Sequence, residues 1–479
     1  MDGLASYIRR QISLGPVQVK SRIHNKDGER LENRYLYHRI LKYVDGFLDG
    51  ENTGSRWICI PGFRGIGKTT LLSQVFDHLS NERNVPENNI LYISLDEVSK
   101  LLESSLYELM EEYQKYRGIS LEGSNDKIFI FADEVHYDDK WDVTIKTMVD
   151  RADNVFFLVT GSSAVSLQTG SDSARRITIR KLLPMTFRES LKIGNGSGKY
   201  LHPDVELEEL LFFSEGSVEL IKGLKEKRKD FHDFWNGLDP YSLDEYLLTG
   251  SMPFSNRFSR KQDVYEKTLQ VLDKVIYDDI SRTDNYNTNT LDKIWALIHI
   301  LSSSREISLD SLANKLDLGK PTVHKIMTTL ERSEIIFQVK AYGSVSKQVT
   351  KSPKYPFISP LIRASLKWKM GGVSDRNSFM GELLEDSVGF YLKKLCDEHP
   401  YLHLHHPPGK GEADYVLTDD RNERGIVIEV GYGDDKGTKQ VKKTMEHIPT
   451  RYALVISDRE DIDIIENIVF VPMRYFFTI

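Results

Sequence analysis

Short apolar runs alternate with amphipathic stretches between residues 57 and 162. The apolar runs are continuous rather than alternating residue by residue, which is typical of parallel strands that are covered on both faces. Alternation of such strands with helices predicts an α/β fold. The predicted strands are WICIPG, NILYISLD, KIFIFADE and NVFFLVTGSS. We therefore predict an α/β domain over residues 55–192, preceded by a mostly helical segment over residues 1–54.

The pattern changes beyond a Gly- and Ser-rich stretch at residues 194–198. Residues 193–288 carry helical rather than strand signals and predict a lid or linker domain. Residues 289–370 predict three short helices followed by the apolar strand IIFQVKAYG, which is the order of a winged helix-turn-helix. A helix and the strands LHLHH, ADYVLT, GIVIEVGY and RYALVIS then predict a second α/β unit over residues 371–479.

The segment GFRGIGKT between the first strand and the first helix matches GxxxxGK[ST], the phosphate-binding loop of nucleotide hydrolases. Glycines let backbone N–H groups curve around phosphates, and the helix N-terminus adds its positive dipole end. Lys68 is predicted to reach the β- and γ-phosphates, and the Thr69 hydroxyl to ligate Mg²⁺. The predicted ATP contacts of this loop are Gly62, Gly65, Ile66, Gly67, Lys68, Thr69 and Thr70.

Hydrolysis also needs an acidic partner for the metal and a group that orients water. The strand IFIFADE ends in Asp133, which we expect to hold Mg²⁺ through its water shell, and in Glu134, which we expect to polarise the attacking water. Thr160 and Ser162 end the next strand, where a γ-phosphate sensor would lie. Ordinary turn chemistry explains these two hydroxyls equally well.

Composition limits the remaining choices. The formal charge of −7 excludes a protein that coats nucleic acid by bulk charge, although a local basic patch is compatible with it. Two cysteines, Cys59 and Cys396, fit buried thiols in a reducing compartment. The first residues lack the apolar core of a secretory signal, and no apolar run approaches the roughly 18 to 20 residues that cross a bilayer. We expect a cytoplasmic protein that has no membrane partner.

Several motifs in one order resemble a known family, the archaeal and bacterial AAA-type ATPases that carry a C-terminal winged helix and a PD-(D/E)xK nuclease-like domain. The motifs are GFRGIGKTT, ADEVHYDDKW, VTGSSA, RRITIRKLLPMTFRESL, YLLTGSMPF and GELLEDSV. The resemblance implies that Arg176, before the LxPxxF turn, senses the γ-phosphate in cis or from a neighbouring copy in a homo-oligomer. Arg175 replaces the glycine that usually precedes this arginine, so either arginine is a candidate.

A local basic balance distinguishes the predicted winged helix. Residues 315–351 contain seven Lys or Arg against three acids, a net charge of +4. Lys320, Thr322, His324 and Lys325 surround the amino-terminal half of its third helix, the part that enters a major groove in such motifs. Double-stranded DNA is therefore one candidate partner, and protein contact is the alternative.

The resemblance implies a restriction-endonuclease-like fold for the last domain, in which strand-end carboxylates hold Mg²⁺. Asp414 and Glu429 match the two carboxylates, and Glu385 matches the family's helical glutamate. The family's catalytic lysine is replaced by Gly431, unless Lys436 or Lys439 reaches in. We therefore expect metal binding without efficient DNA cleavage.

Three functions follow from this sequence. The first is a Mg²⁺-dependent ATPase that works as an ATP-driven switch or remodelling factor. The second is a nuclease effector that is licensed by ATP. The third is an adaptor that holds ATP and seldom hydrolyses it.

Overall fold

The computed structural model describes residues 2–51, 54–162, 175–195, 205–281, 286, 288–304, 307–372, 375–432 and 438–479. The chain forms two compact units, Met1–Leu183 and Pro184–Ile479. Within the described ranges, no helix is both long enough and apolar enough to cross a membrane.

The first unit is built on five parallel strands in the order β2-β3-β4-β1-β5. This sheet confirms the predicted P-loop type of α/β fold. Its elements are α1 (Asp2–Arg22), α2 (Tyr35–Asp49), β1 (Trp57–Gly62), α3 (Lys68–Asp77), β2 (Ile90–Ser94), α4 (Leu95–Leu101), α5 (Leu106–Arg117), β3 (Ile128–Asp133), α6 (Trp141–Arg151), β4 (Val155–Ser162) and β5 (Thr178–Ile179).

The surroundings of strand β3 explain why its sequence is continuously apolar. Ile128 and Ile130 belong to a core cluster that α1, α5 and α6 also line, whereas Phe129 and Phe131 pack against Phe47 and Phe76. Successive side chains of a strand point to opposite faces, so a strand covered on both faces needs an apolar residue at every position.

The second unit combines helices with a mixed seven-stranded sheet in the order β11-β12-β10-β9-β8-β7-β6. Its helices are α7 (Phe187–Asn195), α8 (Val205–Phe213), α9 (Ser217–Glu226), α10 (Arg228–Asn236), α11 (Ser242–Glu245), α12 (Lys261–Lys274), α13 (Thr288–Ser303), α14 (Leu309–Leu316), α15 (Lys320–Arg332), α16 (Val345–Thr350), α17 (Pro360–Lys369), α18 (Arg376–Glu398), α19 (Thr438–Met445) and α20 (Met473–Phe476). Its strands are β6 (Lys340–Ala341), β7 (Leu402–His406), β8 (Tyr415–Asp419), β9 (Asn422–Val430), β10 (Thr450–Ser457), β11 (Asp463–Ile465) and β12 (Ile468–Pro472).

Pairing in this sheet changes direction at β9. Strand β9 pairs parallel with β10 and antiparallel with β8, which in turn pairs antiparallel with β7. The sequence did not predict β11 or β12, and it predicted one continuous strand for IIFQVKAYG. In the structure only Lys340–Ala341 is a regular strand there, because the preceding residues make just two isolated bridges, Ile336 to Phe357 and Val339 to Lys354.

Candidate functional site

The predicted phosphate-binding loop lies at the carboxyl end of β1. Gly65 and Gly67 have φ angles of 81° and 99°, a backbone region that other residues rarely adopt. Gly62 is needed for a close approach, because a Cβ there would lie 2.5 Å from the carbonyl oxygen of Leu182. The loop runs directly into the N-terminus of α3 at Lys68, so the positive end of that helix points towards the loop.

Lys68 is buried although it carries a charge. Its Nζ donates to the carbonyl oxygens of Gly62 at 2.7 Å and Phe63 at 3.2 Å, so the ammonium is held inside the loop. Thr69 and Thr70 follow in the first turn of α3, and Ile66 is buried below the loop.

Arg34 supports the loop and has no signal in the sequence. Its buried guanidinium donates to the carbonyl oxygen of Ile66 at 3.0 Å and to that of Leu183 at 2.7 Å. Gln74 of α3 holds the segment before Arg34 by donating to the carbonyl oxygen of Leu31 at 3.1 Å. Arg34 lies 32 residues before Ile66 in the chain, so no local motif could indicate this contact.

Asp133 is buried at the end of β3 and accepts hydrogen bonds from three hydroxyl groups. Thr69 Oγ1 lies 2.7 Å and Tyr92 OH 2.8 Å from its Oδ2, and Thr160 Oγ1 donates to its Oδ1. Tyr92 and Thr160 meet there because β2 and β4 flank β3. Burial, reinforced by the charge of Asp133, raises the pKa of Tyr92, so the phenol stays protonated and donates. Tyr92 was not predicted from the sequence.

Glu134 has a left-handed backbone, with φ 54° and ψ 47°. For a residue other than glycine this conformation costs about 1 to 3 kcal/mol, and such strain clusters at functional sites. The Glu134 N–H donates to Thr160 Oγ1 at 3.2 Å. Thr160 thus contacts the carboxylate of Asp133 and the backbone of Glu134, and its single hydroxyl proton goes to Asp133.

His136 lies beside Glu134. The backbone N–H of Ser162 donates to His136 Nδ1 at 3.3 Å, and a Glu134 carboxylate oxygen lies 3.3 Å from the same nitrogen. One nitrogen cannot accept from Ser162 and donate to Glu134 at once. The two contacts therefore exclude each other, and the proton on Nδ1 decides which of them is a hydrogen bond.

The predicted role of Arg176 in cis is wrong for geometric reasons. Thr178 pairs with Ile58 near the amino end of β1, and Ser55 Oγ donates to the Arg176 carbonyl oxygen at 3.4 Å. By the same register Arg176 lies level with Arg56, six residues before Gly62. At about 3.3 Å per residue, roughly 20 Å of strand therefore separates Arg176 from the loop at Gly62. The Arg176 guanidinium instead pairs with Asp150 at 2.5 Å. Arg175 is exposed at the same end of the sheet.

In the second unit, the basic residues of α15 are mostly exposed. Lys320, His324 and Lys325 are exposed and Thr322 is half-buried. Lys320 Nζ lies 2.5 Å from Asp310 Oδ1, and Lys325 Nζ lies 4.8 Å from the centre of the Tyr286 ring. The Asp310 carboxylate partly offsets the positive charge of this surface.

Two of the three acidic residues predicted in the last domain contact one lysine from an earlier part of the chain. Asp414 immediately precedes β8 and Glu429 is buried in β9. Lys354, more than 70 residues before Gly431, contacts both Glu385 of α18 and Asp414. Lys436 lies outside the described residues, and Lys439 is in α19. In the described part of the chain, no group of three or more His, Cys, Asp or Glu side chains is arranged to hold a metal ion.

Comparison with known families agrees with the geometry of the first unit. The family described as an AAA domain matches residues 54–191, and a domain of unknown function, DUF8612, matches residues 241–369. The phosphate-binding loop, the parallel sheet and this match define residues 54–191 as an AAA-type P-loop ATPase domain.

Two curated relatives come from Methanocaldococcus jannaschii. The uncharacterized protein MJ1637 is 34% identical over 478 residues, which cover 99% of this chain and 94% of that protein. The chain therefore belongs to the same family as MJ1637. The uncharacterized protein MJ1544 is 23% identical over 384 residues, which cover 77% of this chain and 76% of that protein.

Solved structures of other proteins show a weaker similarity to this chain. The Aeropyrum pernix ORC2 protein, in ADPNP and ADP complexes, is 12% identical over 71% of this chain and 96% of its own, with a TM-score of 0.36. The A. pernix ORC1 protein in complex with DNA is 13% identical over 70% of this chain and 91% of its own, with a TM-score of 0.30. At TM-scores below 0.5 these likenesses say nothing about partner or reaction.

Proposed function

We propose that the first unit binds Mg²⁺-ATP and hydrolyses it to ADP and phosphate, and that the chain works as an ATP-driven switch or remodelling factor. The observation that carries this proposal is the 2.7 Å contact between Thr69 and Asp133, beside the phosphate-binding loop. It joins the two residue types that hold Mg²⁺ in P-loop hydrolases. The oxygen-only donor set suits a hard cation such as Mg²⁺.

Each residue of the loop has a distinct task in this proposal. Backbone N–H groups of the loop and the N-terminus of α3 bind the phosphate oxygens. Lys68 exchanges the carbonyl oxygens of Gly62 and Phe63 for β- and γ-phosphate oxygens. Thr69 and, through water, Asp133 would hold Mg²⁺, which neutralises charge on the phosphates.

Glu134 is the proposed water-orienting group. Its left-handed backbone places the carboxylate beyond the end of β3, next to Asp133. A carboxylate there accepts a proton from the attacking water or holds that water in line. Thr160 acts as a positioning residue, because it bonds Asp133 and the Glu134 N–H together. A direct contact of Thr160 with the γ-phosphate stays a prediction.

Nucleotide binding is tested by Lys68→Ala. Loss of the cation inside the loop should weaken ATP binding at least about 100-fold, since it removes the main side-chain charge of a site otherwise built from backbone dipoles. Isothermal titration calorimetry with Mg²⁺-ATP measures the affinity. Lys42→Ala, an exposed lysine on α2, is the matched control and should bind like the wild type. Equal affinities of the two variants would remove the nucleotide assignment.

Double-stranded DNA is a second, separate proposal for the surface of α15. Its support is the exposure of Lys320, His324 and Lys325 on the first turns of one helix. Lys320→Gln with Lys325→Gln should lower the slope of log affinity against log salt by about 2, because each lost phosphate contact releases about one counterion fewer. Lys225→Gln with Lys229→Gln removes the same charge from another exposed surface as a control. An unchanged slope, or no binding by the wild type at low salt, contradicts DNA binding.

Arg176 retains a proposed role only between copies of the chain. Its place at the amino end of β1 leaves a neighbouring copy as the partner whose γ-phosphate it would contact. A homo-oligomer is therefore part of this proposal and not of the nucleotide assignment above.

A further inference from the structure

Lys354 lies inside the acidic cluster of the second unit. Its Nζ forms an ion pair with Glu385 Oε1 and lies 3.2 Å from Asp414 Oδ1. The side chain of Lys354 is only 6% exposed, and those of Glu385 and Asp414 are 7% and 14% exposed. A charged group is buried to this extent only when other groups compensate its charge.

The hydrogen bonds of Lys354 decide what it can do. An ammonium group has three N–H donors, and Lys354 has three oxygen partners: Glu385 Oε1, Asp414 Oδ1 and the Asp414 carbonyl oxygen at 3.4 Å. The ring of Tyr415 lies on a further side, with its centre 4.5 Å from Nζ. No donor is left to steady a hydrolytic water, which is the task of a nuclease lysine.

Asp414 is held on both carboxylate oxygens. Its Oδ2 accepts from the backbone N–H of Val430 at 2.9 Å, and its Oδ1 accepts from Lys354. Burial by itself would lower the pKa of Lys354, but the charges of Glu385 and Asp414 raise it well above its usual value. The lysine is therefore in contact with both acids at once.

The residue next to Glu385 makes a parallel contact. Asp386 accepts from Arg363 Nε at 2.5 Å and Nη2 at 3.0 Å, and from the Phe357 N–H at 3.2 Å. Adjacent carboxylates of α18 thus each bind one buried cation from the segment 354–363. That segment lies within residues 241–369, which match the domain of unknown function.

We infer that Lys354 is a built-in cation that takes the place of a metal ion between Glu385 and Asp414. The acidic cluster then binds a segment of its own chain, and the second unit needs no divalent metal for stability. A resident metal at Asp414 and Glu429, which the sequence led us to expect, is the competing arrangement.

Manganese binding and thermal unfolding of the full chain without nucleotide distinguish the two arrangements. The control variant is Lys351→Met, which changes an exposed lysine three residues earlier. In the wild type and in this control, adding Asp414→Asn should not reduce the amount of bound Mn²⁺. Mn²⁺ should also leave the unfolding midpoints of both proteins unchanged. Lys354→Met leaves two buried carboxylates without their cation. Its midpoint should fall by roughly 5 to 10 °C. It should also gain a bound Mn²⁺ that recovers part of this loss and disappears when Glu385→Gln is added.

Three results would overturn the inference. The first is Mn²⁺ binding by the wild type that Asp414→Asn abolishes, a measurement that needs no change at Lys354. The second is Mn²⁺-dependent nicking of plasmid DNA by the wild type that Lys354→Met abolishes. The third is a folded Lys354→Met variant that gains no Mn²⁺. If Lys354→Met alone does not fold, Lys354→Met with Glu385→Gln, which removes one charge of each sign, should fold, and its failure would contradict the inference.

Discussion

Asp133 and Asp414 lie next to the ends of strands in the two sheets, yet their surroundings differ in charge. Asp133 accepts from the hydroxyl groups of Thr69, Tyr92 and Thr160, all of which are neutral. Asp414 accepts from the ammonium of Lys354. Hydroxyl groups orient a carboxylate without cancelling its charge, whereas a buried ammonium cancels it.

The lysines of the two sites show the same difference. Lys68 donates to carbonyl oxygens inside the phosphate-binding loop, and Lys354 donates to two carboxylates. In the first unit the cation and the acid therefore have separate, neutral partners, and under the proposed function both charges stay available for the phosphates and the metal. In the second unit Lys354 contacts the opposite charges of Glu385 and Asp414, so the charges compensate one another.

The largest expected effect is on the rate of ATP hydrolysis, and it distinguishes Asp133 from Asp414. Asp133→Asn should lower the rate of ATP hydrolysis about 1,000-fold, because the carboxylate that anchors the metal is lost. It should change the unfolding midpoint little, since the amide oxygen can still accept from two of the three hydroxyl groups and the third hydroxyl can rotate to accept from the amide N–H. Steady-state phosphate release and differential scanning calorimetry measure the two quantities.

Asp414→Asn should affect the stability of the fold instead of ATP hydrolysis, and this effect should be smaller. Removing one of the two carboxylates around Lys354 should lower the unfolding midpoint by roughly 3 to 8 °C, because the buried ammonium keeps only Glu385 as its counter-ion. The rate of ATP hydrolysis at a temperature well below the midpoint should match that of the wild type. If Asp133→Asn and Asp414→Asn changed the hydrolysis rate and the unfolding midpoint to the same extent, the proposed difference between the two sites would be wrong.

Local patterns brought Thr69 and Asp133 into one predicted site, because its parts are close in sequence or end adjacent strands. The motif from Gly62 to Thr69 and the acid at the end of IFIFADE predicted Thr69 and Asp133 as residues that hold one Mg²⁺, and the structure has their side chains 2.7 Å apart. The parallel sheet of the first unit is confirmed for the same reason, since continuous apolar strands indicate a sheet that is covered on both faces.

The missed residues act across long stretches of chain. Arg34 reaches Ile66 across 32 residues, Tyr92 reaches Asp133 across 41, and Lys354 reaches Asp414 across 60. No periodicity or motif spacing records such contacts. The prediction for Arg176 failed because the two-residue strand β5 is too short to give a pattern, yet its register fixes the arginine at the amino end of β1.

The role of Glu134 is tested by a single-turnover measurement of phosphate release by Glu134→Gln, with ATP affinity measured in parallel. We expect wild-type affinity and release slowed about 100-fold, because the proposed Mg²⁺ and phosphate contacts remain while the water loses its orienting carboxylate. Asp139→Asn, an exposed acid on the same loop, should release phosphate at the wild-type rate. Wild-type release by Glu134→Gln, or an equal loss in Asp139→Asn, would contradict the claim that this strand end is the hydrolytic site.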